Sequence, residues 1–446
     1  MRGAIALLKF SDSVPAKTAA WISQSLAFHA RKNILIAMFR PGNESAATGI
    51  LAKKPFPAAI VVCVGLIVLG ASPIVFSWPP APTFTFFTEH PGWQMAGRSL
   101  LAAIVAGAVL ATGRLDSERG TAKAIRYLGF ALVAALLTDL HYETVDRTHL
   151  NWQISQFNAI FLHTDEAPDQ YRFLPQGILW WMSLGNADFL YSYLAYRFFF
   201  TFLVCQVIYI FARSYLAPRD AVIAVLFYAV FYPLSIRYYY GNLLDPMSHA
   251  AMLAALTCCQ RRQFRPFFWL FVLGMFIKET MLLLIPCYYL MNLGTFRLRD
   301  SRVLGHLALL VVAGAAVFLA CRVPFHFNYD FKTLNRTNEL MIYSNLGLAR
   351  GQAWSTVSVF QRYLHPVLFI FMWLPLIIRQ RKLLTPPLFR TALYLAIAFY
   401  LVNLCFGWNY ESRNFVPALV FLLVCTLVIV NRLVTRKPPE AGATGT

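Results

Sequence analysis

Asp139 and Glu143 are the acids best placed for proton transfer in this chain. Asp139 closes an apolar run, so it belongs at the boundary between membrane and water. Glu143 follows four residues later, on the same face if the helix continues for one more turn. A carboxylate there, its pKa raised by partial burial, can act as general base on a hydroxyl or amide. The plainer reading is an interfacial helix end with solvated acids. A second group runs from His163 to Arg172 and contains the adjacent pair Asp165-Glu166. Such a pair can bind a divalent metal through oxygen, and Arg172 can grip a phosphate with two hydrogen bonds. His141, in the same stretch as these acids, is a further substrate-binding candidate. An ordinary polar loop is the competing reading. The histidines lack the spacing of a zinc motif such as HExxH, and no resident metal is assigned.

Lys278-Glu279 stands between two apolar runs. Charges so placed are costly and demand a partner. That partner is either a lipid phosphate or substrate, or each charge satisfies the other. Glu411-Ser412-Arg413-Asn414 forms a short polar stretch before the last apolar run. Arg413 suits a phosphate or pyrophosphate, or an internal salt bridge. Arg237, followed by Tyr238-Tyr239-Tyr240, and Asp245 complete a polar rim. Tyrosines at such a rim are more often interface anchors than sugar platforms.

These groups fall at the ends of apolar spans, of which hydropathy gives about 12. The first two cover roughly 57–77 and 96–112, and the third, 127–138, ends at Asp139. Spans over 189–211 and 221–236 precede a sixth that ends in the basic turn Arg261 to Pro266. Runs 267–277 and 281–292 are each short of the length needed to cross. They read as two short helices meeting at Lys278-Glu279, or as one helix carrying a buried charged pair. A ninth span covers 303–320, and three more follow. Residues 178–184 are too few to span and read as interfacial.

Basic residues concentrate in alternate loops, which fixes orientation with both termini cytoplasmic. Most of the 20 Asp and Glu fall in the other loops. Acids contribute little to topology, so their bias points to a polar site opening on the outer face. The organisation is a cytoplasmic segment 1–54, a membrane domain 55–432 and a polar tail 433–446, with outer loops 139–176 and 321–365. Ala19 to Phe39 reads as an interfacial amphipathic helix or as disordered chain.

With 58% hydrophobic and 13% charged residues among 446, the chain has no room for a large soluble domain. Its net charge of +19 would suggest nucleic acid in a soluble protein. Here cytoplasmic loops and contact with anionic lipid explain it, and nucleic acid is excluded as a partner. The eight cysteines sit in or beside apolar spans without metal spacing. They read as small packing residues, not as a disulfide framework.

Taken together, this all-α, polytopic pattern resembles the GT-C superfamily of integral membrane glycosyltransferases. The resemblance covers roughly Tyr127 to Val430. Asp139, with Glu143 nearby, fills the acidic position after a span that precedes the first large outer loop. Asp169 to Pro175 resembles a loop-to-membrane re-entry of bacterial relatives. Phe276-Ile277-Lys278-Glu279-Thr280 is similar to a Lys/Arg-Glu-Thr tract that interrupts a helical pair in that superfamily. Glu411 to Pro417 resembles a Glu-x-Arg tract before the last span. Two spans precede the acidic loop where many relatives have one, and no acidic pair directly follows the span. The choice of catalytic acid among Asp139, Glu143 and Asp165/Glu166 therefore stays open.

The resemblance implies a bacterial inner-membrane enzyme that uses a polyprenyl-phosphate sugar donor with inversion. The acceptor would be a glycan, lipid or protein on the outer face. Arg172, Lys278 and Arg413 would hold the donor phosphate. A transporter or flippase of an anionic lipid or solute is the expectation from another class, and a polysaccharide polymerase or ligase is a third. Transporters place charges near the midplane; in this chain only Arg197, Lys278 and Glu279 are candidates for such depth.

Overall fold

The computed structural model describes residues 120–142, 171–183, 189–236, 243–292, 301–323, 366–406 and 412–435, with isolated positions in 151–158 and at 364. The chain divides into two compact units, Met1–Lys53 and Lys54–Thr446, and every described residue belongs to the second. The described residues are helical almost throughout, with no strand among them. The helices are α1 (Gly120–His141), α2 (Phe173–Ser183), α3 (Phe189–Arg213), α4 (Pro218–Ile236), α5 (Leu244–Gln260) and α6 (Phe264–Met275). A 3₁₀ turn (Glu279–Leu283) leads into α7 (Leu284–Asn292), and α8 (Ser301–Arg322) follows. A π turn (Val367–Phe371) precedes α9 (Leu374–Arg379). Next come α10 (Pro386–Phe406), a 3₁₀ turn (Ser412–Phe415) and α11 (Val416–Thr435).

Among the described residues, five helical stretches are long and apolar enough to cross a membrane: Lys123–His141, Phe189–Arg213, Ser301–Arg322, Pro386–Cys405 and Arg413–Val434. The exposed surface explains why such a chain needs lipid. On α8 the buried residues Val303, Leu310, Gly314, Val317 and Cys321 form one stripe at helical spacing. Leu304, Leu309, Val311, Val312 and Leu319 lie exposed on its other faces. On α6, Phe267, Phe271 and Met275 turn inward while Trp269 and Leu273 stay exposed. Apolar surface of this extent is alien to a water-soluble monomer. By contrast, α11 is buried on all sides from Val416 to Cys425, as befits a core helix.

The centre of the bundle is α5. It packs against α3, α6 and α7, and it also touches α11 and α2. Its small residues, among them Ser248, Ala250, Ala255, Cys258 and Cys259, are buried and let neighbouring backbones approach. Asp245 and Pro246 in its first turn suit a helix start. Its end is equally explicit. The Gln263 and Arg262 N–H groups donate to the carbonyls of Cys258 and Cys259, closing the helix with a left-handed residue at Arg262 (φ 59°). The chain thereby reverses within a basic turn and enters α6.

The helices alternate in direction, so their ends sort by chemistry. Arg126 of α1 donates to the Tyr209 hydroxyl of α3 at 2.9 Å, pairing the start of α1 with the end of α3. Asn431 donates to Asp220 at 2.6 Å, pairing the end of α11 with the start of α4. That end carries Arg213, Arg219, Arg261, Arg262, Arg265, Arg302, Arg379 and Arg432. The opposite end gathers the last turn of α1, the starts of α3, α5 and α11, and the ends of α6, α8 and α10.

The expected spans agree with the helices to within a few residues, except at α1. The apolar run 127–138 sits inside a longer helix, so Asp139 lies within the last turn of α1 instead of after it. Of the stretch 178–184, expected to be interfacial, residues 178–183 belong to α2, which is 11 residues long. The expected spans over 57–77 and 96–112 lie outside the described residues.

Candidate functional site

The site is built around an interrupted helix. α6 stops at Met275, and the Ile277 and Lys278 N–H groups both donate to the Gly274 carbonyl at 2.9 Å. Lys278 is then extended (φ −160°, ψ 133°), which ends α6 and starts the 3₁₀ turn at Glu279. Gly274 is required here for space. A Cβ at Gly274 would run into the Met281 side chain, with Cγ at 2.9 Å and Sδ at 3.0 Å. Two half-length helices therefore meet at a break, and two charged residues stand in it. They do not satisfy each other. Each turns to a different set of partners.

Lys278 faces α5, α10 and the turn before α11. Its ammonium donates to Asn414 Oδ1 at 2.6 Å and lies 3.8 Å from Asp245 Oδ1. Asn414 in turn donates to Asn403 Oδ1 at 3.1 Å. Arg413 donates to Asp245 Oδ2 at 2.9 Å, joining residues 168 positions apart. Both side chains of this pair are 8% exposed. His249, one helical turn after Asp245, hydrogen-bonds the Arg413 carbonyl through Nε2 at 3.0 Å. One carboxylate thus organises two cations.

Glu279 faces the other way, toward α2 and α8. Arg172 donates through Nε at 3.1 Å and Nη2 at 3.0 Å, both to Glu279 Oε2. Arg322, in the last turn of α8, approaches Oε1 at 3.6 Å. The Arg322 guanidinium lies 3.5 Å from the Phe318 ring centroid and 4.3 Å from that of Tyr171. Burial opposes ionisation of Glu279, but Arg172, a backbone hydrogen bond and Arg322 outweigh it. They hold its carboxyl below the usual glutamate range.

Among the described residues, four cations (Arg172, Lys278, Arg322 and Arg413) thus face two carboxylates (Asp245 and Glu279). Guanidinium groups match the geometry of phosphate.

Of the residues singled out from sequence, Lys278 and Arg413 meet at Asp245, and Arg172 meets Glu279 on the other side of the break. Arg413 makes the internal salt bridge that was one of its two expectations. Asp139 is half-buried and His141 buried at the end of α1, on the same end of the bundle as the cluster. Glu143, Asp165, Glu166, Arg237 and Glu411 lie outside the described residues. Sequence reasoning missed Arg322, His249, Asn403 and the pairing role of Asn414. Among the described residues, no group of three His, Cys, Asp or Glu side chains gathers. Their cysteines are free thiols, buried except for Cys405.

A polytopic α-helical bundle with a buried cationic cluster at one end is the class that fold and site define. No protein-family model, curated protein or solved structure matches the chain.

Proposed function

We propose that this chain is a membrane glycosyltransferase of the GT-C type that moves a sugar from a polyprenyl-phosphate donor to an acceptor on the outer face of the membrane. The observation that carries this reading is the pair of adjoining ion networks at the break. Arg172, Lys278 and Arg413 are far apart in sequence, yet Lys278 and Arg413 share Asp245 while Arg172 holds Glu279, the next residue after Lys278. On this reading the donor phosphate lies against those three cations. Asp139 takes the proton from the acceptor hydroxyl as its oxygen bonds to the anomeric carbon. The bond from that carbon to the phosphate oxygen breaks, and the lipid phosphate leaves with both electrons, its charge held by the cluster. Glu143 is the second candidate base. Asp165 and Glu166 form a competing pair for a divalent metal, and Glu411 and Arg237 are further substrate-binding candidates from the sequence.

The arginines at the opposite end of the bundle support a cytoplasmic position for that end. About 12 spans with both termini inside, in a bacterial inner membrane, complete the reading. The test is transfer of radiolabelled sugar from polyprenyl-phosphate donors by the purified protein in lipid. Transfer by the parent, with turnover lost and donor binding kept in Asp139→Ala, is the expected result. Full activity in that variant removes Asp139 from the chemistry.

One observation favours a transporter instead. Arg197 is fully buried inside α3, a candidate span, and donates to the Tyr193 hydroxyl at 2.9 Å and the Tyr232 hydroxyl at 3.4 Å. Deep charges of this kind mark substrate or ion paths. No sugar transfer across a donor panel, with labelled lipid crossing vesicles instead, would establish that second reading.

A further inference from the structure

Glu279 is held by two guanidinium groups of different character. Arg172 and Glu279 are 16% and 21% exposed, whereas Arg322 is only 6% exposed. Arg322 is also fixed against Tyr171 and Phe318. Arg172 is the more exposed of the two guanidinium groups. It immediately precedes α2, an 11-residue helix too short to span, whose Trp180 and Trp181 are exposed. Phe173 at the start of α2 rests against Phe276 beside the break, with ring centroids 5.6 Å apart. If Arg172 leaves, Arg322 is still within reach of the other oxygen of Glu279. Asp245 has no comparable arrangement: releasing Arg413 or Lys278 from it would disturb a pair that is almost wholly buried.

We propose that the Arg172–Glu279 bridge is an exchangeable latch, in which the phosphate head of a prenyl lipid takes Arg172 from Glu279 and Arg322 retains the released carboxylate. This rests on the reading of the cluster as a lipid-phosphate site and adds a regulator to it: Glu279 is the built-in competitor of the ligand. A phosphate offers the Arg172 fork two oxygens where Glu279 accepts both of its N–H groups on one. Exchange therefore improves the geometry at Arg172 while Glu279 keeps a partner.

The sign of a mutational effect tests this. The probe is radiolabelled geranylgeranyl monophosphate, titrated onto the full chain in phosphatidylcholine nanodiscs. Inorganic phosphate and geranylgeraniol serve as competitors that separate headgroup from tail. Glu279→Gln should bind roughly two- to five-fold more tightly than the parent, the range set by loss of one partly buried ion pair. Arg172→Gln should bind more weakly by a similar factor. Glu279→Asp, one methylene shorter with its charge intact, should tighten binding to a lesser degree and serves if Glu279→Gln does not fold. If Glu279→Gln and Glu279→Asp weaken binding as Arg172→Gln does, Glu279 is a clamp and the latch is wrong. Binding by the parent that neither Glu279 variant changes also removes the latch, but leaves the lipid-phosphate site standing. No saturable binding by the parent removes both.

Discussion

Asp245 and Glu279 each hold two cations, but depth separates the cost of losing them. Asp245→Ala would leave the buried Arg413 and Lys278 without their shared carboxylate. Removing one partner of a buried pair typically costs about 3–5 kcal/mol. Glu279→Gln keeps an acceptor in a more exposed setting, where ion pairs contribute about 1 kcal/mol or less. Unfolding of the two purified variants in SDS-containing mixed micelles should show a large loss for the first and a small one for the second. Equal losses would mean that the two networks are equally deep. Legibility from sequence follows a similar physical logic. Lys278 and Glu279 interrupt apolar runs and so stand out by contrast. Arg413 and Arg172 stand in polar stretches beside such runs. Arg322 ends a long apolar run, where one arginine reads as a snorkelling anchor. Its stacking between Tyr171 and Phe318 has no trace in local sequence. His249 is hidden among small residues in α5, and Asn403 is a single polar residue near the end of α10. Their partners are set by tertiary packing that periodicity does not encode.

At the scale of elements, the break between α6 and α7 depends on a glycine and a methionine. Gly274 leaves room for Met281, which is 1% exposed. Overpacking of this kind costs typically 1–3 kcal/mol. Gly274→Ala should therefore destabilise the protein by about that amount and displace the 3₁₀ turn that begins at Glu279. Adding Met281→Ala should recover much of the loss, because the two side chains then compete less for the same space. Thermal unfolding of the single and double variants measures this, and simple additivity would show that the contact is not the cause. The break itself was readable from two apolar runs too short to cross. The longer α1 was not, because its basic first turns carry no hydropathy signal, and neither was the left-handed Arg262 that turns α5 into α6.

The whole molecule is organised by what surrounds it. Its apolar spans, alternating directions and one basic end follow from composition and charge placement, which local sequence records well. Which faces meet lipid follows from packing. Val312, near the middle of α8, is 64% exposed. If that face is in hydrocarbon, a lysine there should cost about 2.5–3.5 kcal/mol of insertion energy. Val312→Lys should sharply reduce protein recovered in the membrane fraction, with Val312→Leu unaffected. Equal recovery of both would mean that water or another protein covers α8.

The central helix is also short. α5 has 17 residues, a rise of about 26 Å, whereas a hydrocarbon core measures about 30 Å. α6, which exposes Trp269 and Leu273, is shorter still at 12 residues. A bilayer that meets this face of α6 is mismatched there and must thin locally or admit headgroups. Bilayer thickness then becomes a control on the protein: longer acyl chains bury the cationic end, and shorter chains bring lipid headgroups level with it.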